Sequence, residues 1–214
     1  MTGVLFDLDG TLLDTLGDLT DAVNYSLEKF GYPPRTMEEV RTFVGNGTAN
    51  LIRNAAPEGV DYQPVLDTYL EYYPAHSQIK TGPYAGVLEA LEAVKEKYPV
   101  AVVSNKLDVA VKSLCALHFG DVYALGEVAG CPRKPAPDML YKAMEVIGVE
   151  HCIYVGDSEV DVITANNAGA ECVSVTWGFR DADMLEENGA RYLCHKPADL
   201  PAMIDKIVEE HYGK

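Results

Sequence analysis

The hydrophobic positions of this 214-residue chain change rhythm three times. Val4-Leu5-Phe6 form a short apolar run that predicts a buried strand, and the run breaks into Asp7-Leu8-Asp9-Gly10-Thr11. Leu16, Leu19, Val23, Leu27 and Phe30 then recur at helical spacing, which predicts a helix from Leu16 to Phe30, closed by Gly31 and Pro33-Pro34. Thr36-x-x-Glu39 reads as a capping box opening a second helix through Val44. Gly45-Asn46-Gly47 breaks that helix, and a third is expected from about Thr48. A fourth is expected from Asp61 to Ser77, with Pro64 suited to its first turn and Pro74 expected to kink or end it. No second strand is expected before Gly82-Pro83-Tyr84.

Beyond that punctuation helices alternate with short apolar runs. The expected strands are Val100 to Ser104, Val122 to Leu125, Ile153 to Gly156 and Cys172 to Val175, with Tyr192-Leu193 as an edge; a helix from Asp199 to Glu209 closes the chain. Such a rhythm belongs to a parallel sheet with helices on both faces, a Rossmann-like α/β core. The first strand joins this half. The expected organisation is therefore a core of residues 1–15 and 81–214 with a helical cap domain, residues 16–80, inserted between them. Long insertions at one mouth of a sheet often act as lids.

Composition narrows the setting. A chain with 48% hydrophobic residues can bury a core, and a net charge of −16 repels nucleic acid and anionic membrane surfaces, so neither is expected as a partner. A small anionic substrate then needs a local positive patch. Met1-Thr2-Gly3 enters the predicted first strand at once, so no signal peptide is expected, and no apolar run has membrane-spanning length. Five cysteines without a CxxC pair fit reduced thiols, and the five histidines lack zinc-ligand spacing. A soluble, cytoplasmic protein is expected, as monomer or homodimer.

The chemistry gathers at strand ends. Alternation sets Asp7 and Asp9 on one side of the first strand, where two crowded carboxylates repel each other unless a cation lies between them. A hard metal ion with oxygen ligands answers that tension. Val102-Val103-Ser104-Asn105-Lys106 adds a hydroxyl and an amide, Arg133-Lys134-Pro135-Ala136-Pro137-Asp138 an ammonium in a stiff loop, and Gly156-Asp157-Ser158-x-x-Asp161 two more acids. In open α/β sheets ligands bind beyond the carboxyl ends of the strands, so these groups can converge. The set describes a phosphate site.

In the same four stretches the chain resembles the haloacid dehalogenase-like phosphatases, and within them the phosphoglycolate phosphatases. Phe6-Asp7-Leu8-Asp9-Gly10-Thr11, Ser104-Asn105-Lys106, Lys134-Pro135-x-Pro137-Asp138 and Gly156-Asp157-Ser158-x-x-Asp161 match the four motifs in order. Val44-Gly45-Asn46-Gly47 and Gly82-Pro83-Tyr84-x-Gly86-Val87 extend the match. The resemblance implies a Mg²⁺-dependent phosphomonoester hydrolase acting on a small phosphorylated metabolite, with Asp7 as nucleophile forming an aspartyl-phosphate and Asp9 as general acid and base. It implies Mg²⁺ on Asp7, the Asp9 carbonyl and Asp157. It makes Thr11, Ser104, Asn105 and Lys134 the phosphate-binding group, with Lys134 and Ser104 holding the oxygens, Asn105 assisting and Thr11 supporting the loop, and has Asp161 orienting Lys134 or a metal-bound water. A pyrophosphatase, sugar phosphatase or phosphomutase shares these motifs; a signalling receiver or a silent binding protein fits less well, since all four key residues are present. Gly45-Asn46-Gly47 is either an anion contact or a plain turn. Trp177-Gly178-Phe179 is expected to pack rather than touch substrate, and Tyr69, Tyr72 and Tyr73 to pack the cap on the core.

Overall fold

The computed structural model describes residues 1–213. Strand β1 (Thr2–Phe6) leads through a tight loop to the two-residue β2 (Leu13–Asp14). Four helices follow, α1 (Leu16–Glu28), α2 (Met37–Phe43), α3 (Thr48–Ala55) and α4 (Gln63–His76), before β3 (Gly82–Pro83). Then come α5 (Val87–Lys95), β4 (Val100–Leu107), α6 (Asp108–His118), β5 (Tyr123–Glu127), α7 (Asp138–Ile147), β6 (His151–Gly156), α8 (Glu159–Ala168), β7 (Glu171–Val175), α9 (Ala182–Glu187), β8 (Tyr192–Cys194) and α10 (Leu200–His211).

Six strands form one sheet in the order β5-β4-β1-β6-β7-β8, each pair parallel. Helices cover both faces, so the strands are apolar on both sides. Val4 and Phe6 of β1 pack with Val111 and Leu114 of α6, Leu91 of α5 and Ile204 of α10. Leu5, one residue out of phase, packs with Met139 and Leu140 of α7 and Val162 of α8. The sheet order runs outward in both directions from β1, and that reversal opens the crevice where α/β folds bind ligands. Asp7 stands at its mouth. No helix of the described residues is long and apolar enough to cross a membrane.

The four helices α1 to α4 carry their own apolar cluster, with Val23, Leu27, Ile52, Val65, Tyr69 and Tyr73 buried. Ala110 and Phe179 of the sheet half join this cluster, so the helical cap rests on the core through apolar contact. The Thr36–Glu39 capping box forms as expected, and Pro64 lies in the first turn of α4. Pro74 is carried inside α4, which runs two residues past it. Tyr69 and Tyr73 stack at 5.0 Å between cap and core, whereas Tyr72 packs within the cap between Tyr25 and His76.

Two details correct the sequence reading. Strands β2 and β3 pair antiparallel, Leu13 with Pro83 and Asp14 with Gly82, so a second strand does precede the helices and joins the cap's entry to its exit. Helix α9 was also unforeseen. Beside the β2–β3 ribbon the buried carboxylate of Asp18 accepts the backbone N–H groups of Ile79, Lys80 and Thr81 at 2.9 to 3.0 Å. It fastens the returning strap to the first turn of α1. Asp18→Ala strands those donors and is expected to lower stability by about 2 kcal/mol, or about 6 °C in melting temperature, which a thermal melt reads directly.

Candidate active site

The site is built on the loop after β1. Asp7 N–H donates to Val155 of the neighbouring strand at 2.8 Å, and the amides of Thr11, Leu12 and Leu13 turn back onto the Leu8 carbonyl at 3.0 to 3.3 Å. Leu8 points into the core, which leaves Asp7 and Asp9 at the crevice. Gly10 makes the turn at φ +83°, and a Cβ there would stand 2.2 Å from Asp157 Oδ2, so no other residue fits.

Three carboxylates, those of Asp7, Asp157 and Asp161, each bring an oxygen within 4.8 Å of the others, all buried. Lys134 enters this cluster from its loop. Its ammonium is held by Asp161 Oδ1 at 2.8 Å, the Tyr154 hydroxyl at 2.8 Å and Asp7 Oδ1 at 3.0 Å. The other oxygen of Asp161 accepts from Ser158 N and Oγ, so both oxygens of its carboxylate are engaged. Asp157 is fixed from behind by the Thr11 hydroxyl at 3.1 Å and by Phe179 N–H at 2.7 Å. Thr11 therefore stands behind the carboxylates, supporting the loop.

Electrostatics follow from this crowding. Burial, opposed by Lys134 and reinforced by the charges of Asp161 and Asp9, pushes Asp7 up to about 7. Burial and the neighbouring Asp161 and Asp7 charges push Asp157 well above the usual carboxylate range. Burial works against the Lys134 ammonium, but Asp161 and Asp7 outweigh it and hold the lysine charged. One ammonium thus serves several acids. Asp7 Oδ1 is buried and, despite its closeness to Lys134, accepts no well-aligned hydrogen bond among the described residues. A buried oxygen without a well-aligned donor, in a cluster of hard ligands, is what a divalent cation would satisfy, and Asp7 with the neighbouring Asp157 offers such ligands.

The second motif divides its labour. Ser104, 2% exposed, lines the crevice. Asn105 accepts from Lys134 N–H at 2.9 Å and donates to the carbonyls of Lys134 and Gly45 at 2.9 and 3.0 Å, so its amide clasps the lysine loop and the cap turn together. Lys106 escaped the sequence reading. Its side chain is buried, and its Nζ lies 2.8 Å from Asp9 Oδ1 and 4.7 Å from the Tyr73 ring centroid. Arg180 escaped it too: the guanidinium donates to Glu159 and to the carbonyls of Arg41 and Val44 at the end of α2, tying cap to core. The run of Ser104-Asn105-Lys106 was a signal for the first; nothing in the sequence around Arg180 points to cap carbonyls 136 and 139 positions away.

Gly45, Gly47 and Thr48 lie over the crevice, and Leu19, Leu51, Tyr69 and Phe179 form its apolar wall. Phe179 thereby faces the cavity, while Trp177 packs on the core and donates to the Thr11 carbonyl.

Comparison with known proteins agrees with this geometry. A family model of haloacid dehalogenase-like hydrolases matches residues 4–175. Phosphoglycolate phosphatase 1 of Pseudomonas aeruginosa is 32% identical over 220 residues, spanning 96% of this chain and 80% of that protein. The phosphoglycolate phosphatase of Agrobacterium fabrum is 30% identical over 226 residues, spanning 96% and 94%. A crystal structure from Lactobacillus delbrueckii subsp. bulgaricus, of a protein provisionally assigned as a phosphoglycolate phosphatase, superposes with a TM-score of 0.89 at 36% identity, over 94% of this chain and 97% of that one. The chain belongs to the haloacid dehalogenase-like hydrolases.

Proposed function

We propose that this phosphatase hydrolyses a small phosphomonoester, 2-phosphoglycolate, with Mg²⁺ and through a phosphoryl group carried on Asp7. The observation that carries the reading is the unequal setting of two carboxylates on one loop. Asp7 sits within the acidic cluster beside Lys134, while Asp9 sits apart, paired to Lys106 at the crevice. A double displacement needs one carboxylate to attack phosphorus and another to move protons, and this separation supplies both roles.

In this reading Asp7 attacks phosphorus, and Asp9 gives its proton to the departing alkoxide and later takes one from the hydrolytic water. Asp7, Asp157 and the main-chain carbonyl of Asp9 would hold Mg²⁺. The ion, when bound, supplies the positive charge that lets a carboxylate approach a phosphate dianion. Lys134 and the Ser104 hydroxyl bind phosphate oxygens, Asn105 and Thr11 keep that frame in place, and Asp161 orients Lys134. Residues 16–80 act as the cap that excludes water during the first step. The names of the relatives support phosphoglycolate over hexose phosphates.

The test is kcat/KM with Mg²⁺ for phosphoglycolate, pyrophosphate and hexose phosphates. Phosphoglycolate is expected to lead by at least about tenfold, the scale of one differential contact. If pyrophosphate or a sugar phosphate leads, the substrate assignment falls.

A second readout concerns the metal alone. With its pKa pushed up to about 7 by burial, Asp7 contributes stability that is fully present below the ordinary carboxylate range and is lost as pH rises through about 7. Mg²⁺ is therefore expected to raise the melting temperature more at pH 8 than at pH 5, because only the ionised cluster gains from it. An equal or absent shift at both values contradicts the assignment of the cluster as the metal site.

A further inference from the structure

We infer that Lys106 is a specificity-determining residue, the cation that recognises a carboxylate on the leaving group. The inference rests on the phosphomonoesterase reading above and names which group of this chain reads the substrate's second anionic end.

Three cationic side chains line the crevice, Lys134, Arg180 and Lys106. Lys134 is taken by Asp161, Tyr154 and Asp7, and it lies on the Asp7 side where phosphorus must be. Arg180 spends three of its five N–H donors, one from each nitrogen, on Glu159 and on the carbonyls of Arg41 and Val44, which fixes its plane against the cap. Lys106 has two of its three ammonium donors to spare, since among the described residues it makes one hydrogen bond, to Asp9, and no second one pins its head, whereas all three nitrogens of Arg180 are already fixed. Its remaining contact is the face of the Tyr73 ring.

Position decides what the spare donors meet. If Asp9 hands a proton to the leaving oxygen, that oxygen lies against the Asp9 carboxylate. Lys106 Nζ, 2.8 Å from Asp9 Oδ1, then stands close to the leaving oxygen, pairing with Asp9 where Lys134 pairs with Asp7. A carboxylate one carbon beyond the ester oxygen reaches it. The walls there are the apolar Leu19, Leu51, Tyr69 and Phe179, so an ion pair made on closure is poorly screened, and an uncharged leaving group would leave a buried ammonium short of partners. The overall charge of −16 sharpens the point, since an anion can be received only where a cation has been set aside for it.

The experiment compares 2-phosphoglycolate with its neutral isostere, the phosphate ester of glycolamide, as a ratio of kcat/KM in the wild type, Lys106→Met and Lys106→Arg proteins. Any effect of Lys106 on Asp9 or on folding touches both substrates and cancels in the ratio. The wild type is expected to prefer the carboxylate by about 100-fold. Lys106→Met should cut that preference at least tenfold, and Lys106→Arg should restore part of it. Calorimetric binding of the two compounds to Asp9→Asn protein, with and without Lys106→Met, gives the same comparison where turnover is too slow and where no unpaired Asp9 charge is left behind.

A preference for the carboxylate that survives Lys106→Met overturns the inference and leaves the substrate reading intact. So does an equal loss on both substrates, which would make Lys106 only a support for Asp9. A wild type that hydrolyses both esters alike overturns the inference together with the phosphoglycolate reading, while inactivity of Asp7→Asn on both would still uphold the phosphatase chemistry.

Discussion

Asp7→Asn is expected to abolish phosphate release, by on the order of 10⁴-fold or more in kcat, while the protein stays folded. An amide of the same shape cannot attack phosphorus, and no other carboxylate can take its place: Asp161 is bound to Lys134 and Ser158, and Asp157 is held by Thr11 and Phe179. The fold should tolerate the change, because Lys134 keeps Asp161 and Tyr154 as partners. Burial already disfavours the ionised form of Asp7, so removing that charge should hold or raise the melting temperature at pH 8. A phosphate-release assay beside a thermal melt separates the two effects. Asp9→Asn, which removes proton transfer but keeps the nucleophile, should lose less, roughly 10² to 10⁴-fold.

Lys134→Met is expected to damage both stability and activity. Its ammonium faces Asp7 and Asp161 at 3.0 and 2.8 Å with all three side chains buried, and its removal leaves those charges uncompensated. Breaking a buried ion pair in this way costs about 3 to 5 kcal/mol, which for a chain of this size lowers the melting temperature by about 10 °C. The sign with pH is fixed by Asp7, which burial pushes up to about 7: as it protonates toward pH 5 the penalty shrinks, so the deficit should be largest at pH 8. Adding Asp161→Asn removes one stranded charge and should recover part of the stability without recovering turnover. A deficit that is the same at pH 5 and pH 8 would mean that the lysine contributes packing rather than charge.

Much of the architecture was legible because its periodicities are strong. Val4-Leu5-Phe6 and Ile153 to Gly156 are continuous apolar runs bounded by polar ends, and they became β1 and β6 side by side at the sheet centre. Thr36 and Glu39 specify their capping box locally, so it could be read from spacing alone. The ribbon of Leu13–Asp14 with Gly82–Pro83 could not, since two residues carry no period and their pairing spans the whole cap. Asp18 was hidden for the same reason: a carboxylate in the first turn of a helix is ordinary, and only the tertiary return of residues 79–81 gives it a purpose.

At the site, the residues at strand ends were visible because sheet topology brings them together. Their division of labour was not. Asn105 stood out as a phosphate contact, yet its amide joins Lys134 to Gly45, an arrangement that depends on where the cap lies. Lys106 sat in the same motif without an assigned role, because its partners are Asp9 on another strand's loop and Tyr73 on a cap helix. Arg180 is the extreme case, a core residue whose acceptors are backbone carbonyls and therefore leave no trace in residue identity.

The most direct test of the proposed chemistry is to mix Asp9→Asn protein with 2-phosphoglycolate and Mg²⁺, quench in acid within the first turnovers, and map covalent phosphate by mass spectrometry of the peptides. Slowed hydrolysis in this variant should let the intermediate accumulate, and the added phosphoryl group is expected on the peptide that contains Asp7, absent when Asp7→Asn is combined with it. Phosphoglycolate consumed with no phosphorylated peptide, or with the phosphoryl group on another residue, would contradict Asp7 as the nucleophile.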